Sequence, residues 1–240
     1  MSNKFFQFKQ FTVYQGLCAM KVGTDGVLLG SWCQVSGKQR VLDIGTGTGL
    51  IALMIAQRNS EAVIDAIELD QDAFRQAEEN FRESPWSHRL TPIFGSFTDY
   101  ETGGSPKYDL LVSNPPYFEN SLKADCAKRS QARHTDTLPF EALLDKASDL
   151  LSDGGVLALV YPSDADERIC GLAGPRGFTC IRKTFVRGNS GAPVKRVLVE
   201  FEYNSRGGAA FLENELIVEV ERHRYTNDYI ELTKDFYLKM

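Results

Sequence analysis

A short apolar strand that runs through a glycine-rich turn into an apolar helix constrains the fold of this 240-residue chain most strongly. The strand is expected over Arg40–Ile44, the turn at residues 45–49 reads Gly-Thr-Gly-Thr-Gly, and the helix is expected over Leu50–Arg58. This succession is typical of an open α/β sheet, in which the helix amino terminus faces a ligand. Strands and helices alternate along most of the remaining chain, so we predict an α/β fold with a doubly wound, mostly parallel, seven-stranded sheet.

The spacing of the glycines favours one class of ligand over another. A dinucleotide site has the pattern G-x-G-x-x-G, but Leu50 stands at its third glycine position. Asp43 precedes the turn, and its carboxylate would repel a pyrophosphate. S-adenosylmethionine (SAM) instead offers a cationic α-amino group and ribose hydroxyls. We therefore assign Asp43, Gly45, Gly47 and Gly49 to cofactor binding, with a glycine turn that binds nothing as the alternative.

Acidic and polar residues follow the next two predicted strands. Glu68 lies near the end of the strand expected over residues 62–69, about 20 residues after the glycines, where an acid commonly binds ribose hydroxyls. Asp70 is the better candidate for capping the following helix. Ser96 and Phe97 follow the third strand, at the edge where a doubly wound sheet would contact the adenine ring. We assign Glu68 to the ribose, with Ser96 and Phe97 as adenine candidates.

The fourth predicted strand, Tyr108–Ser113, runs into Asn114-Pro115-Pro116-Tyr117. Consecutive prolines cannot donate to a strand ladder, so the chain leaves the strand as a stiff turn. The Asn114 side-chain oxygen and the Pro115 carbonyl are two acceptors that match the hydrogens of an exocyclic amine. They would stabilise the tetrahedral nitrogen that forms as the amine attacks an electrophilic methyl group, while the Tyr117 ring stacks on a base. We assign Asn114, Pro115 and Tyr117 to catalysis, although Asn-Pro alone is also an ordinary turn signal.

Positive charge is concentrated in two segments. The formal net charge is −5, which does not suggest a general nucleic-acid-binding protein. Residues 120–135 nevertheless contain four Lys or Arg and one acid, and residues 175–199 contain six Lys or Arg and no acid. We assign seven of these residues to phosphate contacts, with a solvated loop as the alternative for the first segment. They are Lys123, Lys128, Arg129, Arg133, Arg187, Lys195 and Arg196.

Cysteine content and hydropathy indicate where in the cell the protein is located. Its five cysteines are odd in number and include no CxxC pair, which predicts reduced thiols, no metal site and a cytoplasmic location. No apolar run is long enough to span a membrane, and residues 1–14 do not have the pattern of a signal peptide. We expect no membrane association and no obligate protein partner.

The first 38 residues differ in pattern from the rest. Residues 5–14 place aromatic side chains among polar ones, which predicts an edge strand or a hairpin packed on something larger. A helix is expected to follow and to end near Trp32, with Thr24 or Asp25 as its cap. We predict that residues 1–38 form a small extension packed on the main α/β domain over residues 39–240.

The glycine turn, Glu68 and the Asn-Pro-Pro-Tyr turn together resemble class I SAM-dependent methyltransferases that methylate amino groups. Other segments resemble the bacterial tRNA-valine adenine-N6 methyltransferases, which act on the adenosine immediately 3′ of the anticodon (position 37). The likeness covers nearly the whole chain. The segments that carry it are Phe8-Lys9-Gln10-Phe11, residues 19–30 (AMKVGTDGVLLG), Arg133-His134-Thr135-Asp136 and residues 232–237 (LTKDFY).

The resemblance implies a role for each motif. The glycine turn would hold the methionine part of SAM and Glu68 the ribose, and Thr24 and Asn114 would also contact the cofactor. Asn114 and the Pro115 carbonyl would bind adenine N6 of a tRNA anticodon loop. Many relatives of the broader fold have Gly-Asp after the third strand, whereas this chain has Gly95-Ser96. The departure concerns the residues expected to contact the adenine ring of the cofactor.

Three other activities remain compatible with the motifs. A methyltransferase for guanine N2 of ribosomal RNA, or for a release-factor glutamine, would use the same Asn-Pro-Pro-Tyr chemistry. A non-catalytic RNA-binding module could keep the fold without turnover, although the intact glycine turn, Glu68 and Asn114 argue against that alternative.

Overall fold

The computed structural model describes residues 3–104, 106–115, 138–205, 207 and 210–240. Within these residues the chain alternates strands and helices after a short N-terminal hairpin. The elements are β1 Phe5–Gln7, β2 Thr12–Tyr14, α1 Thr24–Trp32, β3 Arg40–Ile44, α2 Leu50–Arg58, β4 Val63–Glu68, α3 Gln71–Arg82, β5 Leu90–Phe94, β6 Tyr108–Ser113, α4 Phe140–Leu150, β7 Leu151–Pro162, α5 Asp166–Ala173, β8 Phe178–Asn189, β9 Val194–Tyr203, β10 Leu212–Glu221, β11 Arg224–Tyr225 and α6 Asn227–Thr233.

The predicted doubly wound sheet is confirmed, but its predicted strand number is wrong. The main sheet has nine strands in the described residues, in the order β11-β10-β8-β9-β7-β6-β3-β4-β5. Strand β9 is antiparallel to both neighbours, and β11 is antiparallel to β10. The other neighbouring pairs are parallel. The two additional strands extend the β8 edge. Strand β11 has two residues, too few for an alternating sequence pattern to be visible.

The order of the strands reverses between β3 and β6. From β3 the chain adds β4 and β5 on one side, and then returns to place β6 and β7 on the other. Ile44, the last residue of β3, lies opposite Ile67 of β4 and Ser113 of β6. The carboxyl edge at such a reversal is the usual ligand site of an open α/β sheet. The glycine turn, the end of β4 and Asn114 therefore meet at this edge.

Both faces of the central strands are buried, which explains their continuous apolar sequence. Val41 belongs to the core cluster that includes side chains of α1 and α2, whereas Leu42 belongs to the cluster that includes side chains of α4 and α5. The same alternation separates Leu110 from Leu111 on β6. Successive side chains on a strand point to opposite faces, so the sheet divides the core into two layers.

The structure confirms one predicted helix cap and corrects another. The Asp70 carboxylate accepts a hydrogen bond from the Ala73 amide at 2.8 Å, as predicted for α3. The cap prediction for α1 is wrong, because Gly23 is the N-cap residue and no side chain caps the helix. Thr24 is the first residue of α1, and Asp25 instead binds Arg196 at 2.7 Å.

Two predicted helices are shorter in the structure. The sequence of residues 137–152 predicts one helix, but the helix ends at Leu150 and β7 begins at the next residue. The sequence also predicts a terminal helix over residues 225–237, but the helix in the structure is limited to α6, which the Thr226 side chain caps.

The predicted N-terminal hairpin is confirmed. Strands β1 and β2 pair in antiparallel register, and Phe8 stacks on Phe11 with a centroid distance of 4.7 Å. The Lys9 amide donates to the Phe236 carbonyl at 2.8 Å, which ties the hairpin to the C-terminal segment. The division between residues 1–38 and 39–240 stays a prediction.

Candidate cofactor and amine-binding site

Two of the three glycines in the turn line open space. Gly45 and Gly47 have φ values of +66° and +58°, a conformation that L side chains rarely adopt. A Cβ atom added at either position would meet no other atom within 4 Å. The Gly45 and Thr46 amides donate to the Ile67 carbonyl at 2.9 and 3.1 Å and fix the turn to the end of β4. The result is an open cradle at the amino terminus of α2, which suits a ligand that must approach the backbone closely.

Gly49 has a different role. Its φ is +80°, and an added Cβ would lie 2.4 Å from the Phe81 ring. Gly49 is therefore required for packing the turn against α3, and it precedes the first residue of α2. We infer that it shapes the predicted cofactor site from below, whereas Gly45 and Gly47 face the open side.

Asp43 holds the turn and keeps one oxygen without a partner among the described residues. Its side chain is 1% exposed. Oδ2 accepts hydrogen bonds from the Thr46 hydroxyl at 2.6 Å and the Ala52 amide at 3.2 Å, whereas Oδ1 is buried and has no partner. Burial raises the pKa of Asp43, and this effect outweighs the two hydrogen bonds, which lower it. The resulting pKa is about 7. A cationic ligand group would offset the free-energy cost of this buried oxygen.

Glu68 connects the turn to the β4–α3 junction, a role that sequence reasoning missed. Its Oε2 accepts from the Gly47 amide at 2.8 Å, and its Oε1 accepts from the Leu69 and Asp70 amides, both at 2.9 Å. The half-buried carboxylate thus lies beside the open glycine cradle. Carboxylate oxygens have further lone pairs, so binding ribose hydroxyls is compatible with these contacts.

Close packing of two parallel helices brings Thr24 to the same edge. An added Cβ at Gly26 would lie 3.1 Å from Leu50, and one at Gly30 would lie 2.7 Å from the sulfur of Met54. The two contacts are four residues apart on both helices, so α1 and α2 run in the same direction. Exposed Thr24, at the amino end of α1, therefore lies on the side of the glycine turn.

The end of β6 places Asn114 next to the glycine turn. Ser113 lies opposite Ile44 in the register, and its hydroxyl donates to the Ile44 carbonyl at 2.8 Å. Asn114 is half-buried and Pro115 is buried. Adjacent strands are about 4.8 Å apart, so the predicted catalytic turn begins one strand away from Gly45. Tyr117 lies outside the described residues.

Of the two residues predicted to contact the adenine ring, Ser96 forms a hydrogen bond within its loop and Phe97 is buried. The Ser96 hydroxyl lies 2.7 Å from that of Thr98, whereas Phe97 is buried in the core cluster that contains Ile67. Leu69 is a residue that sequence reasoning missed: it directly follows Glu68 and is 51% exposed. An apolar side chain exposed beside the acid predicted to bind ribose would suit the face of an adenine ring, and its place between Glu68 and Asp70 was the available signal.

The basic residues on β8 and β9 divide into two groups. Arg187, Lys195 and Arg196 lie at the carboxyl edge of the sheet, on the same side as Asn114. Arg187 pairs with Glu215, and Arg196 with Asp25. Lys195 is exposed and has no ion pair within the part of the chain that is described.

The other basic residues of this stretch neutralise acids inside the protein. Arg182 lies 3.6 Å from buried Glu200 and stacks over the Trp32 ring at 4.0 Å. Lys183 binds Asp166 at 2.8 Å. Their charges therefore stabilise the fold. The predicted RNA contacts Lys123, Lys128, Arg129 and Arg133 lie outside the described residues.

The described residues include four cysteines, all of them reduced. Cys18, Cys33, Cys170 and Cys180 are free thiols, and burial raises the pKa of Cys33 to about 12. Within these ranges no group of three or more His, Cys, Asp or Glu side chains could hold a metal ion. No helix there is both long and apolar enough to cross a membrane.

Residues 18–169 match the family model described as the methyltransferase small domain. A Bacteroides fragilis protein named tRNA1(Val) (adenine(37)-N6)-methyltransferase is 49% identical over 241 residues, with both chains fully covered. The chain belongs to this methyltransferase family. Relatives of the same name from Trichodesmium erythraeum and Flavobacterium johnsoniae are 47% and 46% identical. The first covers all of this chain and the second 98%, and each is itself fully covered.

Solved methyltransferase structures share the fold of this family member. An Agrobacterium tumefaciens protein, described as a predicted O-methyltransferase, has a TM-score of 0.68 and 23% identity, covering 88% of this chain and 96% of its own. The CcbJ methyltransferase of Streptomyces caelestis has a TM-score of 0.53 and 12% identity, covering 75% and 89%. At these identities the likeness concerns the fold, and it confirms the predicted methyltransferase architecture.

Proposed function

We propose that this methyltransferase transfers the methyl group of SAM to N6 of adenosine 37, immediately 3′ of the anticodon, in tRNA1(Val). One observation carries the proposal: Asn114 and Pro115 directly follow the strand beside the glycine turn, in a chain 46–49% identical over nearly its whole length to relatives with that name. The amine-binding turn and the cofactor cradle thus occupy neighbouring strand ends.

The described residues fit SAM as the cofactor. Gly45 and Gly47 leave open space above the turn, and the unpartnered Asp43 oxygen suits the cationic amino group of the methionine part. The Glu68 carboxylate suits ribose hydroxyls, and Leu69 suits the adenine ring. When bound, SAM supplies a methyl group activated by a positively charged sulfur.

In the proposed reaction, the residues of this chain orient the N6 amine and stabilise the positive charge that develops on it. The side-chain oxygen of Asn114 and the backbone carbonyl of Pro115 would accept hydrogen bonds from the two N6 hydrogens and so direct the nitrogen lone pair towards the methyl carbon. They also stabilise the positive charge that would develop on nitrogen as its bond to the methyl carbon forms, while the bond from that carbon to sulfur breaks and S-adenosylhomocysteine leaves. The nitrogen then releases one proton to solvent, so no strong base is required beside it.

An anticodon-loop adenosine is a suitable target because it is already unpaired. Placing it in a pocket therefore costs less free energy than flipping a base out of a duplex. Lys195, together with Arg187 and Arg196, lies at the same sheet edge as Asn114 and would contact flanking phosphates. A tRNA substrate also agrees with the cytoplasmic location predicted from the cysteine usage.

The substrate class can be tested by incubating the purified protein with isotopically labelled SAM and an unmodified tRNA1(Val) transcript. Ribosomal RNA and release factor are the parallel substrates. We expect label in the tRNA alone, as N6-methyladenosine after digestion to nucleosides. Label in ribosomal RNA or release factor without a tRNA product would overturn the assigned substrate, and no label in any of them would overturn the assigned activity.

A further inference from the structure

Helix α3 presents two buried amide side chains to the N-terminal segment. Gln76 and Asn80 are 2% and 1% exposed, and they lie one helical turn apart, on the same face of the helix. Neither residue was among the predicted site residues. Buried amides of this kind stabilise a structure only when their hydrogen bonds are made.

Asn80 joins the hairpin directly to the glycine turn. Its Nδ2 donates to the Tyr14 carbonyl and to the Thr48 carbonyl, both at 2.8 Å. Its Oδ1 accepts from the Tyr14 amide at 2.8 Å. Both amide hydrogens are therefore in use, one on the N-terminal segment and the other on a turn residue between Gly47 and Gly49.

The chain that follows Tyr14 is held by further hydrogen bonds. The Leu17 amide donates to Gln76 Oε1 at 3.1 Å, and the Val22 amide donates to the Gln15 side-chain oxygen at 2.8 Å. The Lys21 ammonium donates to the Cys18 carbonyl at 2.9 Å. Residues 15–22 thus follow a fixed path from α3 towards the first turn of α1.

This path passes the carboxylate assigned to the ribose. The pKa of Cys18 is raised to about 11, first by burial and then by the negative charge of Glu68. Leu17 and Met20 on the same segment are largely exposed. Asn80 and Glu68 both bind the glycine turn, at Thr48 and Gly47, so this segment starts beside the turn that Glu68 contacts, and a bound nucleoside could cover its exposed apolar side chains.

We propose that Asn80 is a positioning residue for cofactor binding, which holds residues 15–22 against the glycine turn so that they form one side of the SAM site. This inference rests on the proposed function, since it assumes that the glycine turn binds SAM. Asn80 acts through Tyr14 and Thr48, and it need not touch the cofactor.

The test compares two buried asparagines by titration calorimetry with S-adenosylhomocysteine, the product form of the cofactor. Asn59 is the matched control: it is 9% exposed, donates to the Val35 and Lys38 carbonyls, and lies at the far end of α2. Both Asn80→Ala and Asn59→Ala should lower the melting temperature. We expect Asn80→Ala to weaken binding by about tenfold or more, and Asn59→Ala to leave it within about twofold of the wild type.

The possible results separate the two proposals. Wild-type protein that does not bind S-adenosylhomocysteine would contradict the proposed function. Wild-type binding together with unchanged affinity in Asn80→Ala, or an equal loss in both variants, would contradict the positioning role alone. Should Asn80→Ala not fold, Asn80→Asp provides the same comparison, because it keeps the acceptor for the Tyr14 amide but lacks both donors; its affinity should fall as well.

Discussion

The proposed cofactor half of the site, at the ends of β3 and β4, is fixed by hydrogen bonds, whereas two of the three basic residues in the proposed substrate half, on β8 and β9, form ion pairs. Asp43, Glu68 and Asn80 all bind backbone groups of the glycine turn or its flanks. Arg187 and Arg196 instead pair with Glu215 and Asp25. The first half is preorganised around a small ligand, while ion pairs near solvent can exchange partners when a polyanion binds.

The sharpest contrast between the halves is expected at Asn114. Asn114→Ala removes one of the two acceptors for N6 and should lower kcat by about 100- to 1,000-fold, because that stabilisation operates in the transition state. Affinity for S-adenosylhomocysteine should stay near that of the wild type, as measured by calorimetry.

Asn214→Ala, at an exposed position on β10, is the matched control and should keep full activity. An Asn114→Ala enzyme with wild-type kcat would refute amine recognition by this turn. Loss of cofactor binding in the same variant would place Asn114 in the cofactor half.

Within the cofactor half, Gly49 tests whether packing fixes the turn. Gly49→Ala should lower the free energy of unfolding by about 3 kcal/mol, since the added methyl group would collide with the Phe81 ring in addition to the strain of a positive φ. Gly37 has a similar φ of +73° and open space around its Cβ position, so Gly37→Ala should cost only about 1 kcal/mol. Urea unfolding of both variants measures the difference, and equal losses would mean that the Phe81 contact is unimportant.

Asp43 gives the cofactor half a characteristic pH dependence. Its pKa is raised from 3.8 to about 7 in the folded protein, so its contribution to stability is full below pH 4 and is lost as the pH rises through 7. The limiting slope is about 1.4 kcal/mol per pH unit. Asp43→Asn should flatten the decline in the free energy of unfolding between pH 4 and 7, and an unchanged slope in urea titrations would contradict the buried, proton-binding carboxylate.

The smallest effect is expected in the substrate half, at Lys195. Lys195→Gln should weaken binding a few-fold for every tRNA sequence, because one phosphate contact is lost. The slope of log Kd against the logarithm of the salt concentration should fall by about one. Exposed Lys239→Gln should change neither quantity. Filter binding over a range of salt concentrations measures both, and identical slopes for wild type and Lys195→Gln would exclude Lys195 from the RNA interface.

The two halves also differ in how much of them could be predicted from the sequence. The strand, glycine turn and helix, the Asp70 cap and the acid at Glu68 are encoded within a few neighbouring residues, and the structure shows the strand, turn, helix and cap as predicted. The assigned ligand contacts of the glycines and Glu68 stay proposals.

Long-range contacts could not be predicted in this way. The partner of Arg196 is 171 residues away, and Asn80 binds a residue 66 positions earlier. A local pattern does not encode such pairs, because they depend on the order of the strands. For the same reason the basic residues of β8 and β9 could be identified, but their acidic partners could not.

Mapping the methyl group on tRNA1(Val) tests the central claim most directly. After reaction with SAM, the transcript is cut by a guanosine-specific ribonuclease, and the anticodon-loop fragment is sequenced by tandem mass spectrometry. The account predicts one methyl group on adenosine 37, and none in a transcript with guanosine at that position or with the Asn114→Ala enzyme. A methyl group on another nucleotide, or on the guanosine-37 transcript, would contradict it.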